Sequence, residues 1–215
     1  MSQVNANWIE RALWVKYRSA HQLFLPNVHL SGWWECDVLG VTKAGYMYEF
    51  EIKMSKSDFK ADFNKGVDGH TAARRRGFKW TREVRTCDEA KRKWEEATRP
   101  LLKHDLMAGG DVSGPTCFFF CTPEGLLDPK DIPDHAGLLE FPFSEDARGW
   151  RWGHLNTIKK APRLHGQKVT DRRINGIRDK IIYRYNDMYF NIVPDLIQDL
   201  KDARQRNTEN ENGNN

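Results

Sequence analysis

The stretch CDVLGVTKAGYMYEFEIKMSKSDFKAD, residues 36–62, decides the fold of this chain. Two runs of strand-forming residues flank the segment Thr42–Gly45, which predicts a β-hairpin with a short turn that contains glycine. The serines that follow, the acidic Asp58 in the first turn and Gly66 as a stop predict a short helix. Ser55 is placed either to cap this helix or to contact phosphate, and helix capping is the commoner role.

Charged side chains share one face of this hairpin. Alternation along the second strand puts Glu49, Glu51 and Lys53 together, with the last two roughly 6.5–7 Å apart at their Cα atoms. Antiparallel pairing can bring Asp37 of the first strand near Glu51, and a register slip of one residue would separate them. The hairpin therefore predicts a cluster of Asp37, Glu51 and Lys53.

Two carboxylates and one lysine in this arrangement suit the hydrolysis of a phosphodiester. The carboxylates can hold Mg2+ or Mn2+ and leave ligand positions for water and for phosphate. Lys53 can lower the pKa of the attacking water or counter the developing charge. The main-chain carbonyl of Ile52 is a further candidate metal ligand. The alternative is an ordinary pair of opposite charges, Glu51 and Lys53, on a solvated strand.

Outside the hairpin, the hydrophobic pattern predicts helices and buried strands. Residues 7–25 have apolar positions near helical spacing, and Pro26 is expected to end this helix. Residues 66–110 are charged and predict two helical stretches. The segments CFFFCTP, residues 117–123, and AGLLEF, residues 136–141, are apolar enough for buried strands. This order predicts an α/β fold of the α+β type, in which helices flank a mixed sheet.

Composition limits the class of protein. The 215 residues are 39% hydrophobic and 30% charged, and no stretch approaches the roughly 20 apolar residues that span a bilayer. The N-terminus has no pattern of a secretion signal, so we expect a soluble, cytoplasmic protein without a membrane partner. Four scattered cysteines are too few for a disulfide framework. Cys117 and Cys121 are expected to be buried structural residues rather than a metal pair.

The net charge of +4 is unevenly distributed. Residues 71–99 carry ten Lys and Arg against five Asp and Glu, which indicates either a polyanion footprint or exposed helices with ion pairs. Residues 148–184 carry eleven against two and favour contact with phosphates. Trp150 and Trp152 either stack there on unpaired bases or belong to the core. The candidate nucleic-acid-binding residues are Arg151, Lys159, Lys160, Arg163, Lys168, Arg172 and Arg173.

Residues 36–62 resemble the core of the PD-(D/E)XK nuclease superfamily, most closely its MmcB-like DNA-repair branch. The similar features are an Asp on the first strand, E-I-K on the second, and the helix S-K-S-D-F-x-x-D. Lys103–His104, the strand FFFCTPEG and the segment IPDHAGLLEF resemble the later part of such domains. The resemblance covers about residues 8–141, interrupted at 66–102. Cys36 stands where the family name has its proline.

The resemblance implies roles for particular residues. Asp37 and Glu51 are expected to bind the metal, and Lys53 to act at the water or the phosphate. Many superfamily members also place a Glu from the first helix near the site, and Glu10 is the matching candidate for a fourth catalytic residue. The alternative for Glu10 is an exposed acid on a helix surface.

These observations lead to a prediction of domains and function. We expect a restriction-endonuclease-like core over residues 1–141 with a charged helical insertion at about 66–110. A basic and aromatic C-terminal extension, residues 142–203, is expected to pack on the core, and residues 204–215 to be a disordered tail. The predicted function is that of a deoxyribonuclease dependent on Mg2+ or Mn2+ in DNA repair or processing, with RNA as a second candidate substrate. The alternatives are a catalytically inactive nucleic-acid-binding module of the same fold, and a protein whose basic segments contact an acidic partner.

Overall fold

The secondary structure comes from a computed structural model that describes residues 4–30, 33–66, 69–145 and 151–202. The helices of this part are α1 Ala6–Tyr17, α2 Lys56–Asp62, α3 Gly69–Arg75, α4 Arg82–Thr86, α5 Asp88–Ala97, α6 Lys103–Ala108 and α7 Asp171–Asp187. The strands are β1 His21–His29, β2 Glu35–Thr42, β3 Met47–Ile52, β4 Cys117–Pro123, β5 Ala136–Phe141, β6 Ser144–Glu145, β7 Arg151–Trp152 and β8 Asn156–Lys159. Within these described residues, no helix is long and apolar enough to cross a membrane.

The first helix is shorter than predicted. It ends at Tyr17, so the prediction of one helix over residues 7–25 is wrong: the chain from His21 onward forms strand β1. Strand β1 lies at the edge of the sheet, a position that tolerates Pro26. A short apolar run does not by itself distinguish a helix from a strand, and here pairing with β2 makes the segment a strand.

The hairpin forms as predicted. Strands β2 and β3 pair in antiparallel fashion, with Val38 opposite Phe50 and Val41 opposite Met47. In the turn, the Gly45 N–H donates a hydrogen bond to the Thr42 carbonyl (2.8 Å). Gly45 has a φ of 87°, a conformation that glycine adopts without a steric cost. The turn residues therefore determine the register on which the candidate site depends.

A six-stranded sheet with the order β1-β2-β3-β4-β5-β8 forms the centre of the fold. Strands β1, β2 and β3 are antiparallel, β3, β4 and β5 are parallel, and β8 runs antiparallel to β5. The sheet is mixed and flanked by helices, which confirms the predicted fold at that level. Strands β4 and β5 are the two predicted apolar strands, and both are buried. Strand β8 comes from the predicted C-terminal extension.

The two faces of the sheet differ in chemistry. On one face, Ile9 and Leu13 of α1 pack with Phe50 and other apolar side chains of the sheet. Cys117 and Cys121 lie in this apolar cluster and are not in disulfides, so the prediction that they are buried is confirmed. The opposite face carries the charged side chains of β3. Helices α2 and α6 lie against that face: Phe59 of α2 contacts the Phe120 ring of β4 (centroids 4.8 Å apart), and His104 of α6 contacts the rings of Phe118 and Phe120.

The charged segment after α2 holds more helices than predicted. Instead of two helical stretches, its described residues form the four helices α3 to α6. Gly77, with a φ of 82°, follows the end of α3 and separates it from α4. Ala73, Val84, Trp94 and Ala97 form a small apolar core among α3, α4 and α5. This local core explains why the segment is helical even though its composition is strongly charged.

The chain divides into two compact units, Met1–Val169 and Thr170–Asn215. In the second unit, Thr170 caps α7 by accepting a hydrogen bond from the Arg173 N–H (3.4 Å). A π-helical turn at Met188–Ile192 follows α7, and helix continues from it through the last described residue, 202. Residues 171–202 therefore form one helical run that contains a π turn. The predicted disordered tail, residues 204–215, lies outside the described residues.

Candidate functional site

Strands β2 and β3 separate at one end of the hairpin, and Asp37 lies at this point. The ladder ends at the pair Val38 and Phe50, so the next position of β2 is Asp37, opposite Glu51. The Asp37 Oδ2 atom accepts a hydrogen bond from the Ile52 backbone N–H (2.7 Å), where a strand partner would otherwise be. This arrangement forms because the turn sets the register of the hairpin and the Asp37 carboxylate satisfies the backbone N–H of Ile52, which has no strand partner there.

Glu51 and Lys53 project together from the end of β3. The Lys53 Nζ atom donates to Glu51 Oε2 at 3.1 Å. The exposed fraction is 0% for Glu51 and 3% for Lys53, so the alternative of a solvated cross-strand pair does not hold. The structure brings Asp37, Glu51 and Lys53 to one end of the hairpin, and their roles in catalysis stay a prediction.

Four further charged residues complete a buried ion network around the pair. Lys103 Nζ, from α6, lies 2.5 Å from Glu49 Oε1 and 2.6 Å from Glu51 Oε1. Lys65 Nζ, just after α2, lies 3.0 Å from Glu51 Oε2. Asp62 Oδ1, at the end of α2, lies 2.7 Å from the Nζ atoms of both Lys65 and Lys53. Both oxygens of Glu51 are thus ion-paired with lysines.

The network balances three carboxylates against three ammonium groups. Buried charges are stable only when they are paired and hydrogen-bonded, and this balance provides the pairing. Burial by itself raises the pKa of Glu51, but the ammonium of Lys103 and the other lysines hold it below its usual range. Burial by itself lowers the pKa of Lys103, but Glu49 and Glu51 raise it above its usual range. Both residues are therefore charged at neutral pH.

Asp37 differs from the carboxylates of this network. Within the part of the chain that the structure describes, no lysine or arginine forms an ion pair with it. Burial, together with the negative charge of Glu51, raises the pKa of Asp37 to about 6, although the Ile52 N–H lowers it. A carboxylate held in this state lacks a cation of its own. A bound cation at this position would offset the repulsion between Asp37 and Glu51.

The residues of the site fit a hard cation in chemical type. Carboxylates of Asp37 and Glu51, completed by water and phosphate oxygens, make the kind of ligand shell that Mg2+ prefers. Among the described residues, no group of three His, Cys, Asp or Glu side chains is arranged to hold a metal. Two carboxylates are therefore what the side chains supply, and the Ile52 carbonyl stays a predicted further ligand.

The structure does not bring Glu10 to the trio. Glu10 lies on α1, the helix whose buried residues pack on the apolar face of the sheet. There it lines a cavity of about 340 Å3 together with Trp14, Phe24 and Val38, among others. In the described residues, neither a hydrogen bond nor an ion pair joins Glu10 to Asp37, Glu51 or Lys53. Its catalytic role remains an untested prediction.

Three of the predicted nucleic-acid-binding residues, Lys160, Arg163 and Lys168, are exposed, and the last two lie beside the hairpin turn. The guanidinium of Arg163 stacks on the Tyr46 ring at 3.9 Å from its centroid, and Lys168 Nζ lies 5.7 Å from the same centroid. Backbone hydrogen bonds hold this segment beside the turn, including one from the Val169 N–H to the Gly45 carbonyl (2.8 Å). The turn is at the opposite end of β3 from Lys53.

The remaining predicted contacts are placed differently. Lys159 Nζ donates to the backbone carbonyls of Ile132 (2.6 Å) and Pro133 (2.9 Å), so its ammonium is used within the fold. Arg172 and Arg173 lie at the start of α7 in the second unit. The side chains of Arg151, Trp150 and Trp152 lie outside the described residues.

Sequence reasoning missed part of the network. The sequence predicts the face of Glu49 but no role for it, and it indicates no ligand role for Asp62, the last residue of the motif S-K-S-D-F-x-x-D. It predicts no contact for Lys65 or Lys103, although Lys103 belongs to a segment that carries the family resemblance. The useful signal was local for Lys65, which follows Asp62 by three residues and pairs with it. No periodicity links Lys103 to Glu51, which are 52 residues apart.

Comparison with known proteins adds little to this picture. No family model matches the chain, and no curated protein matches it. A solved structure of a protein of unknown function from Silicibacter pomeroyi is similar, with 16% sequence identity and a TM-score of 0.48. The match covers 88% of this chain and 94% of that one. The resemblance to the nuclease superfamily therefore rests on the residues themselves.

Proposed function

We propose that this chain is a metal-dependent deoxyribonuclease with a restriction-endonuclease-like core. One observation carries the proposal: a carboxylate without an ammonium partner, Asp37, is held where β2 and β3 separate, opposite the buried pair Glu51 and Lys53. Burying charge is costly, and burial beside the negative charge of Glu51 raises the pKa of Asp37, so the ionised carboxylate is unfavourable at this position. Perturbed ionisable groups that are buried next to one another are typical of functional sites.

Each residue of the trio has a chemical task in this proposal. Mg2+ or Mn2+, when bound, would supply Lewis-acid activation of water and of the scissile phosphate. Asp37 and Glu51 would hold it, with the Ile52 N–H fixing the orientation of the Asp37 carboxylate. Lys53 Nζ, held between Glu51 and Asp62, would present a fixed positive charge to the phosphate oxygens.

The saturation of Glu51 means that a cation has to compete with a lysine. Lys103 is fully buried between two carboxylates and has no path to water, whereas the side chain of Lys65 is 36% exposed. Lys65 can swing into solvent without burying its charge elsewhere, which would leave Glu51 Oε2 with Lys53 alone. The divalent cation would bring two positive charges to the site, and the departing Lys65 ammonium would remove one. The additional positive charge would offset the negative charge of Asp37.

A substrate strand that follows the hairpin would contact cations at a definite distance from the site. Five residue steps of β3 separate Tyr46 from Glu51, roughly 17 Å at about 3.4 Å per residue. This equals about five nucleotide steps at roughly 3.4 Å of rise per strand. We propose that Arg163 and Lys168 contact phosphates about five nucleotides from the cleaved bond, with Tyr46 as a flat surface beside them.

Cleavage assays on single-stranded, double-stranded and branched DNA, and on RNA, with Mg2+ or Mn2+ test the proposal. Asp37→Asn and Lys53→Met should each lower the cleavage rate by at least about 100-fold while DNA binding persists. Asp58→Asn is the matched control, because Asp58 lies 3.8 Å from Lys53 but is half exposed. Equal activity of all three variants would show that the cleavage comes from elsewhere.

A second candidate function is nucleic-acid binding without turnover. The observation that favours it is the occupation of both Glu51 oxygens by Lys53, Lys65 and Lys103. In that case the three ammonium groups permanently neutralise Glu51, as a bound metal ion would otherwise do. Binding of DNA without cleavage in any of the assays, together with no change in thermal stability on addition of Mg2+ or Mn2+, would select this function.

A further inference from the structure

We propose that His104 is a positioning residue that holds Asp62, and through it Lys53, in place, with His135 as its support. The contacts form one continuous chain of hydrogen bonds. His135 Nε2 lies 2.8 Å from His104 Nδ1, and His104 Nε2 lies 2.9 Å from Asp62 Oδ2. The other oxygen of Asp62, Oδ1, accepts from Lys53 Nζ at 2.7 Å, and Lys53 donates to Glu51 at 3.1 Å. The catalytic consequence rests on the proposed nuclease function; the contacts do not.

The chemistry of the partners assigns the protons of this chain. An ionised carboxylate only accepts hydrogen bonds, so the proton near Asp62 is on His104 Nε2. Interactions with His104 and the lysines hold the pKa of Asp62 well below its usual range, although burial opposes them, so Asp62 is ionised. The remaining pair of nitrogens, His104 Nδ1 and His135 Nε2, shares one proton, which either ring can carry. Both nitrogens of His104 therefore have a hydrogen-bond partner.

Packing fixes the His104 ring in the orientation that this chain needs. The ring is 5% exposed, and its centroid lies 4.3 Å from that of Phe63, stacked at 26°. Phe120 stacks on it at 5.7 Å and Phe118 meets it edge-on at 5.6 Å. Aromatic rings on several sides leave the imidazole no freedom to rotate away from Asp62. Histidine here is thus more than a space-filling residue, because both of its nitrogens have partners.

His135 is the end of the chain that is nearer to water. It is half-buried in the loop before β5. Burial, the neighbouring His104 and Lys159 lower its pKa to about 4, while Asp134 and Asp105 act in the opposite direction. His135 is therefore neutral at pH 7 and can form one hydrogen bond with His104. The charged group in contact with His104 is Asp62 from α2.

Asp62 has to be held at two ends to serve Lys53. Its Oδ1 atom already accepts from two ammonium groups, Lys53 and Lys65, and its Oδ2 atom accepts from His104. Without a donor at Oδ2, the carboxylate is free to rotate about its terminal bond. Lys53 would then lose its 2.7 Å contact with Asp62 and with it a defined position. Residues that orient a catalytic group in this indirect way typically contribute about 10–100-fold to activity.

Three variants and one control test the inference. His104→Leu removes the donor, and His104→Gln retains a side-chain N–H at the position of Nε2 while it loses the contact with His135. His135→Ala removes the support but leaves the partner of Asp62 in place. His154→Ala is the matched control, because His154 is exposed. Two readouts are measured on the full chain: kcat and KM for DNA cleavage, and the 15N signal of the Lys53 ammonium group, assigned with Lys53→Met.

We expect His104→Leu to lower kcat by about 10–100-fold at constant KM, and His104→Gln to restore it to within about threefold. The Lys53 signal should move in His104→Leu, return in His104→Gln and stay unchanged in His154→Ala. If both histidine-104 variants keep the wild-type Lys53 signal and kcat, the inference is wrong. It is also wrong if Gln restores neither quantity, because then His104 only fills space. If wild-type protein cleaves nothing, the proposed function fails and the Lys53 signal alone decides the positioning role.

Discussion

Replacing Lys103 by Met tests whether the buried ion network holds the fold together. Lys103 is fully buried and its Nζ lies 2.5 Å from Glu49 and 2.6 Å from Glu51. The Met side chain has nearly the same volume, so the variant removes the charge without leaving a large cavity. Two buried carboxylates lose their shared cation. Removal of one partner from a buried ion pair costs about 3–5 kcal/mol, which is our expected loss in the free energy of unfolding at pH 7.5.

The loss should depend on pH in a defined direction. In the wild type, the lowered pKa of Glu51 lies below pH 5, so its contribution to stability is present at pH 5 and pH 7.5. The raised pKa of Lys103 lies above both values, so its contribution is also unchanged. Burial raises the pKa of Glu49 even with Lys103 beside it, and the variant raises it further. Protonation in the variant then relieves the penalty, to about 1–3 kcal/mol at pH 5.

Urea unfolding followed by circular dichroism at the two pH values measures these quantities. Lys65→Met is the matched control: Lys65 contacts Glu51 and Asp62 but is partly exposed, so we expect a loss of about 1 kcal/mol or less. Adding Glu49→Gln to Lys103→Met should recover about 1–3 kcal/mol at pH 7.5, because it removes the charge of Glu49, which has lost its ammonium partner, whereas Glu51 keeps Lys53 and Lys65. Equal and small losses for the two lysine variants, with no dependence on pH, would refute the reasoning.

Three further predictions concern single residues. Asp37→Asn removes a carboxylate whose pKa is raised to about 6, so its free energy of unfolding should exceed that of the wild type by about 1–2 kcal/mol at pH 7.5 and by less at pH 5, as urea unfolding measures; a lower stability at pH 7.5 would contradict this. Ser55→Ala should lose about 1 kcal/mol through the cap of α2, whereas Ser57→Ala should lose less than about 0.5 kcal/mol. Arg163→Ala should weaken DNA binding and reduce the salt slope of the affinity by about 1, and Lys159→Met should lower thermal stability but leave that slope unchanged.

The hairpin and the positions of its charged residues were predictable because they depend on local geometry. The turn sets the register, and alternation then assigns each side chain of β3 to a face. The capping role of Ser55, whose Oγ accepts from the Asp58 N–H at 3.1 Å, is equally local and was predicted correctly. The buried strands β4 and β5 follow from continuous apolar runs. What these predictions share is that neighbours in the sequence carry the whole signal.

The partners of the charged residues were not predictable in this way. Lys103 is 52 residues from Glu51, and only the packing of α6 against the sheet brings them together. Charged residues such as Lys103 are usually exposed, so the sequence favours a surface position for them. Their burial is tolerated here because the network contains equal numbers of ammonium and carboxylate groups. Strand β1 was missed for a related reason, because its place at the sheet edge depends on pairing with β2. Long-range pairing overrides local preference in both cases.

The same network explains why the site is rigid and why it is closed. Three lysines and three carboxylates, all but Lys65 buried, leave little freedom for Glu51 or Lys53 to move. Such order favours catalysis, which needs donors and charges fixed in advance. It also means that a divalent cation must displace an internal ammonium group, so its affinity is reduced by the strength of that pair. Asp37, raised in pKa and unpaired, is the group that gains most from the exchange. The proposed nuclease would therefore bind its metal weakly alone and more tightly when a substrate phosphate supplies additional oxygen ligands.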